Sequence, residues 1–185
     1  MKIILTFLIF LNTGIAFSQE AMTLERFRQL AAAPGDTNAL RPELGSLPFW
    51  KASKCSVTMK YQDGKTFKEE CSQTARTIDG KYVVFSTESK FYKQTINSVA
   101  EYDDKASAIQ LWGLFGGALT KETIVFDSEK KINAATSKYG DFMEISVGSS
   151  TPNEISDHAL VYKNGILFMT RDVKTVPQES DKTQR

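Results

Sequence analysis

The chain is poor in the residues that most chemistry needs. It has one histidine, His158, and two cysteines, Cys55 and Cys71, in 185 residues. A zinc centre needs a cluster of His, Cys or carboxylate ligands, and no second histidine exists to build one. A Ser-His-Asp hydrolase would have to use His158, and no Gly-x-Ser-x-Gly elbow is present. No Gly-rich phosphate loop or dinucleotide fingerprint occurs either. Charge of one sign is also lacking. Lys and Arg number 23 against 22 Asp and Glu, a net of +1. A near-neutral chain has no electrostatic footprint for nucleic acid. No stretch reaches the ~20 apolar residues of a membrane helix. Glycine and proline number only 11 and 5, beside 41% hydrophobic and 24% charged residues. That composition excludes a collagen, a coiled coil or a disordered chain. The length suits one domain.

The first residues have the order of an export signal. Lys2 precedes an apolar run from Ile3 to Leu11, and Ala16-Phe17-Ser18 supplies small residues for a cleavage pocket. The expected segments are a signal peptide over 1–18, a helical lead-in over 19–47, a β-domain over 48–176 and a disordered tail over 177–185. A buried N-terminal helix is the alternative for the first of these. Export implies a periplasmic or extracellular, oxidising setting, without a membrane span.

In the lead-in, Thr23 can cap a short helix with Leu24, Phe27, Leu30 and Ala31 on one side. Pro34-Gly35-Asp36 ends it, and Pro42 can open a second turn through Gly45. From Ser53 to Thr175 the chain reads strand, turn, strand. Turn signals stand at Asp63-Gly64, Asp79-Gly80, Asp103-Asp104, Gly116-Gly117, Ser128-Glu129, Gly140-Asp141, Pro152-Asn153 and Asn164-Gly165. A weaker reversal falls at Lys90 to Gln94. The spacing predicts an all-β domain of about ten antiparallel strands in a meander. Closing the meander into a barrel would remove its two edge strands, and ten strands would leave a cavity or groove. The short helix is expected to cover one end.

Residues along this order carry a family resemblance. Leu47-Pro48-Phe49-Trp50 leads into a strand, followed by Ile78-Asp79-Gly80-Lys81-Tyr82-Val83-Val84-Phe85, Glu101-Tyr102-Asp103 and Leu111-Trp112. This pattern resembles the bacterial secreted domain of unknown function 1579 family over roughly 40–176. The resemblance implies a calycin-like, lipocalin-like β-barrel and no settled activity. One departure is Pro48-Phe49-Trp50, where such barrels often carry Gly-x-Trp.

Two constellations follow from turn arithmetic. A three-residue Gln62-Asp63-Gly64 loop pairs residues whose numbers total 126, which sets Cys55 directly opposite Cys71 and predicts a disulfide across the first hairpin. A two-residue Asn164-Gly165 turn pairs numbers totalling 329. His158 then faces Arg171, Leu160 faces Met169 and Tyr162 faces Leu167, all on one side of the sheet. His158, Arg171, Tyr162 and Met169 are the expected ligand-binding group, with Arg171 positioned for an anionic headgroup. Haem on His158 is an alternative to no cofactor, and a partly exposed histidine at a strand end is the plain structural reading. Trp50, Trp112, Tyr61, Tyr82 and Phe85 can stack on a ligand or fill the core. Gly113, Gly116 and Gly117 can mark a lid or simply a turn. Glu69-Glu70 and Asp103-Asp104 are adjacent pairs that point to opposite strand faces, so neither makes a catalytic dyad.

The leading expectation is a secreted module that binds a small hydrophobic or amphipathic molecule in its lumen. Two others stand beside it: an enzyme with polar groups converging on the lumen around Glu69, Gln73, His158 and Arg171, and a structural or interaction protein of the envelope with a filled core. An open apolar cavity favours the first, convergent titratable groups with shifted pKa values the second, and a lumen packed to native density the third.

Overall fold

The computed structural model describes residues 21–46, 50–90, 93–127 and 132–178. The expected signal segment, most of the tail and the Ser128-Glu129 turn lie outside the described residues. In order come α1 (Leu24–Ala32), a 3-10 turn (Leu44–Ser46), β1 (Ala52–Tyr61), β2 (Thr66–Ile78), β3 (Tyr82–Ser89), β4 (Gln94–Asp103) and β5 (Ala108–Phe115). Then follow β6 (Ala118–Asp127), β7 (Ile132–Tyr139), β8 (Phe142–Thr151), β9 (Glu154–Lys163) and β10 (Ile166–Pro177). The ten strands form a closed antiparallel barrel in which each pairs with its sequence neighbours and β1 also pairs with β10. Closure leaves no unpaired edge. Pro177 still belongs to the sheet, opposite Ser53, so the barrel runs one residue beyond the expected boundary.

Local chemistry makes the hairpins. The Tyr61 amide donates to Lys65 O at 2.9 Å around a loop in which Gly64 has φ 84°, a backbone that side chains disfavour. That loop sets β1 against β2 with Cys55 opposite Cys71, and the two cysteines form a disulfide with Cα atoms 4.9 Å apart. Asn164 and Gly165 both take positive φ, as a two-residue hairpin turn requires.

The helix does not cover an end of the barrel. Thr23 caps α1, its hydroxyl accepting from the Arg26 amide at 3.1 Å. Phe27 and Leu30 then pack with Met22 on Ile78, Val84 and Val99. Val84 and Val99 alternate with Val83 and Ala100, which belong to the inner cluster, so α1 lies on the outside of the wall. Arg76 fastens it there by donating to Ala33 O at 2.9 Å and Ala31 O at 2.5 Å, satisfying carbonyls at the helix C-terminus. The end is closed instead by Leu44 of the 3-10 turn, 1% exposed among Ala75, Val83, Ala100, Ile109, Ile124 and Ala135. Helix propensity explains α1, but the apolar outer faces of β3 and β4 decide where it docks.

Candidate functional site

Inward-facing positions of the strands enclose a cavity of about 410 Å³. Leu44 shuts it at the end where β2 turns into β3. The other end carries a chain of aromatic rings. Phe115 meets Tyr139 at 4.6 Å between centroids, Tyr139 stacks on Phe142 at 5.6 Å, Phe142 meets Phe168 at 5.7 Å, and Phe168 meets Tyr61 at 5.6 Å. Phe115 is 52% exposed, so part of this rim is open to solvent. Val57, Ile96, Leu111 and Met169 contribute apolar wall, and Cys71 of the disulfide also lines the space.

A polar side faces that apolar wall. Glu122 on β6, Glu144 on β8 and Arg171 on β10 all line the cavity. Arg171 Nη2 donates to Glu144 Oε1 at 2.5 Å and stands 3.7 Å from Asp157 Oδ2 on β9. Arg171 Nε is buried with no hydrogen-bond partner among the described residues. Burial, aided by the Glu144 charge, pushes the Glu122 carboxyl up to about 7. Glu144 is also raised by burial, against the opposing pull of Arg171. Tyr139 is pushed up to about 12, first by burial and then by the neighbouring Glu144 charge. Glu69 is held at the far wall, where the Ser89 hydroxyl donates to its Oε1 at 2.5 Å. The arrangement can bind a polar group next to an apolar body, and it places ionisable groups where water is scarce.

The expected ligand group is divided by the sheet. Lys163 pairs with Ile166 and Tyr162 with Leu167, as the two-residue turn requires. Phe168 then adds a residue to β10, and the register shifts by one. Arg171 consequently faces Ala159, and His158 faces Asp172. Arg171 and Met169 line the lumen, whereas His158 and Tyr162 occupy the opposite, outward phase of β9 from buried Val161 and Ala159. The expectation that His158 and Arg171 share a face is therefore corrected, and the extra residue at Phe168 is the reason. Of the residues proposed for a lumenal enzyme, Glu69 and Arg171 line the cavity, and Gln73 shares their inward phase on β2, donating to Thr87 at 3.0 Å. His158 does not join them. A haem in the lumen would find no axial histidine, since the single histidine of the chain points outward.

On the outer wall, His158 Nδ1 lies 2.6 Å from Asp172 Oδ1. Both are well exposed, so this pair adds little to stability. Val147, the residue opposite His158 on β8, is exposed, as are Met143 and Ile145 on the same outward phase of that strand. No three His, Cys, Asp or Glu side chains among the described residues are placed to hold a metal ion, and no helix among them is long and apolar enough to cross a membrane.

The aromatic candidates separate likewise. Trp112 and Tyr82 pack with the outer cluster under α1, while Phe85 packs against the inner cluster at the closed end. Trp112 Nε1 donates to Glu101 at 2.8 Å. Trp50 is buried, and its Nε1 has no hydrogen-bond partner among the described residues. Tyr61 alone reaches the ring of aromatics at the open end. Gly116 and Gly117 make the β5–β6 turn, and Gly113 is an ordinary strand residue of the lumen wall.

Sequence reasoning missed Glu122, Glu144, Asp157 and Tyr139. The pattern of β8 misleads. Met143, Ile145 and Val147 are its apolar phase, yet they are exposed, while Glu144 and Ser146 are buried. Only the partners across the barrel reveal that inversion. Glu122 did carry a signal, because it shares the phase of buried Ile124 on β6.

No family model matches this chain, so the likeness to the domain of unknown function 1579 family stays one of pattern. No curated protein matches it either. Among solved structures, it is similar to a protein of unknown function from the DUF3598 family of Nostoc punctiforme. The TM-score is 0.54 at 14% identity, over 76% of this chain and 51% of that one. This chain thus spans about half the length of that protein. An S-type phycobiliprotein lyase from Guillardia theta matches with a TM-score of 0.49 at 10% identity, over 70% of this chain and 88% of the other. At 14% identity, the likeness to the Nostoc punctiforme protein speaks for the barrel fold alone.

Proposed function

We propose that this is an exported barrel protein that binds a small hydrophobic or amphipathic molecule in its lumen. The observation that carries the reading is the cavity of about 410 Å³, closed by Leu44 and rimmed by aromatic rings at the other end. Its size lies within the range of small-molecule sites, and its walls combine apolar surface with few polar groups. An unfilled lumen speaks against the filled-core alternative. Native mass spectrometry of the purified mature protein, with an absorbance scan, tests the reading. A co-purifying mass that disappears in Gly113→Phe protein is the expected result. A Cβ at Gly113 meets nothing closer than Thr120 Oγ1 at 3.9 Å, so the ring can occupy the lumen without a backbone clash. Ligand retained in that variant would place binding elsewhere.

Export rests on Lys2, the apolar run and Ala16-Phe17-Ser18, together with a disulfide that suits an oxidising compartment. N-terminal sequencing of the exported protein should begin at Gln19. A sequence starting at Met1 would refute the signal.

A lumenal acid–base enzyme is the second reading. It is favoured by Glu122, Glu144 and Tyr139 converging with raised pKa values. Slow conversion of a bound ligand to a new mass by wild-type protein, absent in Glu122→Gln, would support it.

A further inference from the structure

We infer that the ligand of the lumen is a small amphipathic cation, an amine or quaternary ammonium, with its charged group beside Glu122 and its apolar body against Val57, Ile96 and Leu111. The inference rests on the lumenal-binding reading above and narrows it to one ligand class.

Three observations carry it. Glu122 lines the cavity and no described residue hydrogen-bonds to its carboxyl group, whereas the other two carboxylates of the lining, Glu69 and Glu144, have Ser89 and Arg171 as donors. A carboxylate turned into a confined space without a partner is a site for a counter-charge. Arg171, the residue that an anionic headgroup would need, has its charge balanced by Glu144 through Nη2 and stands close to Asp157, which leaves the buried Nε as an unpartnered donor among the described residues. The other basic residue at the lining, Lys121, lies 5.6 Å from the ring centroid of Trp112 on the outer phase of β6. An anion entering here meets more negative than positive charge. Finally, the rings of Phe115 and Tyr139 at the open end meet at 4.6 Å between centroids and offer π surface to a cation, while the neighbouring Phe142 ring already carries the Lys163 ammonium 5.5 Å from its centroid.

The charged groups facing Glu122 are Glu144 on β8, Asp157 on β9 and Arg171 on β10. Its lateral neighbours are Leu111 on β5 and Ser137 on β7, with Tyr139 at the next inward position of β7. Two carboxylates against one guanidinium leave the surroundings negative even before Glu122 ionises. A bound cation therefore favours the ionised Glu122, and proton uptake by Glu122 opposes the cation.

Three probes with one apolar body separate the possibilities: decyltrimethylammonium, decanesulfonate and decanol, titrated into the mature, disulfide-bonded protein by calorimetry. At pH 8 the cation should bind at least about tenfold more tightly than the anion, with decanol between them. Glu122→Gln should lower the cation's affinity about tenfold and leave decanol's within about twofold. Because the quaternary ammonium cannot titrate, its affinity for wild type should fall by about tenfold or more between pH 8 and pH 5. Anion binding as tight as the cation's, or cation binding unchanged by Glu122→Gln, overturns the inference. If all three probes bind alike and Gly113→Phe abolishes them, lumenal binding stands and the cation preference falls. If no probe binds, both fall.

Discussion

Arg171 on β10 reaches Glu144 on β8 by crossing β9, its Nη2 donating to Oε1 at 2.5 Å. The residue opposite Arg171 on the intervening strand is Ala159, which is fully buried and small enough to let the guanidinium pass over it. The side chain of Glu144 is only 6% exposed. Removing the cation leaves a buried carboxylate without its counter-charge. Arg171→Met should therefore lower stability at pH 8 by about 3 kcal/mol, read from urea unfolding. The loss should shrink as pH falls from 8 to 5, because burial raises the Glu144 carboxyl and proton uptake removes its unpaired charge. An equal loss at both pH values would show that packing, not charge, is what the arginine supplies.

Glu122 predicts a pH dependence of the opposite kind to the usual surface carboxylate. Its folded value, about 7, stands above its ordinary 4.5 because burial penalises the charged form. Its support for the fold is thus complete below about pH 4.5 and is lost as pH rises through about 7. That difference corresponds to roughly 3 kcal/mol. Glu122→Gln should match wild type near pH 4.5 and exceed it at pH 8 by roughly 2–3 kcal/mol. A variant less stable than wild type at pH 8 would contradict this account.

The Cys55–Cys71 bridge joins β1 to β2 across 16 residues of sequence. In the chain-entropy model a loop of that size is worth about 3 kcal/mol. Paired Cys55→Ser and Cys71→Ser changes should reduce stability by about that amount and keep the barrel's far-ultraviolet spectrum. Thiol titration of the denatured, unreduced wild type should find no free thiol.

Gly80 sits in a crowded turn between β2 and β3. Its φ is +64°, and a Cβ there would meet Ala39 O at 2.3 Å. The same glycine's carbonyl accepts from the Arg41 amide at 2.9 Å, which ties the segment before Leu44 to the β2–β3 turn. Gly80→Ala should lower Tm by about 5 °C or more, through both backbone strain and loosening of the Leu44 plug. Gly64→Ala serves as the comparison, with a positive φ but open space around its Cβ position. It should cost clearly less.

Much of this architecture was legible because turn chemistry is local. The pairs Asp79-Gly80, Gly116-Gly117 and Asn164-Gly165 take the positive φ their residue types allow, and they make three of the nine connections between the ten strands. The disulfide was legible for the same reason, since one loop with Gly64 at φ 84° sets the whole β1–β2 register. The β9–β10 hairpin shows where such reasoning stops. Its turn is as expected, but Phe168 inserts a residue three positions later, and every partner beyond it shifts. Nothing in the local sequence marks that bulge, at which Phe168 meets Tyr61 on β1 and Phe142 on β8.

Sequence alone, then, determined the all-β class, the strand count, the first-hairpin register and the capped helix, because backbone preferences and short-range spacing decide those. Tertiary structure alone decided which phase of each strand faces the lumen, where α1 docks and which charges meet inside. Barrel closure is a property of all ten strands together. It buries Glu144 beside exposed Met143 and Ile145 on β8, and turns Arg171 inward while His158 points out. Hydrophobic alternation cannot specify a wall when each of its faces is partly apolar, so the inner face was chosen by the partners across the barrel.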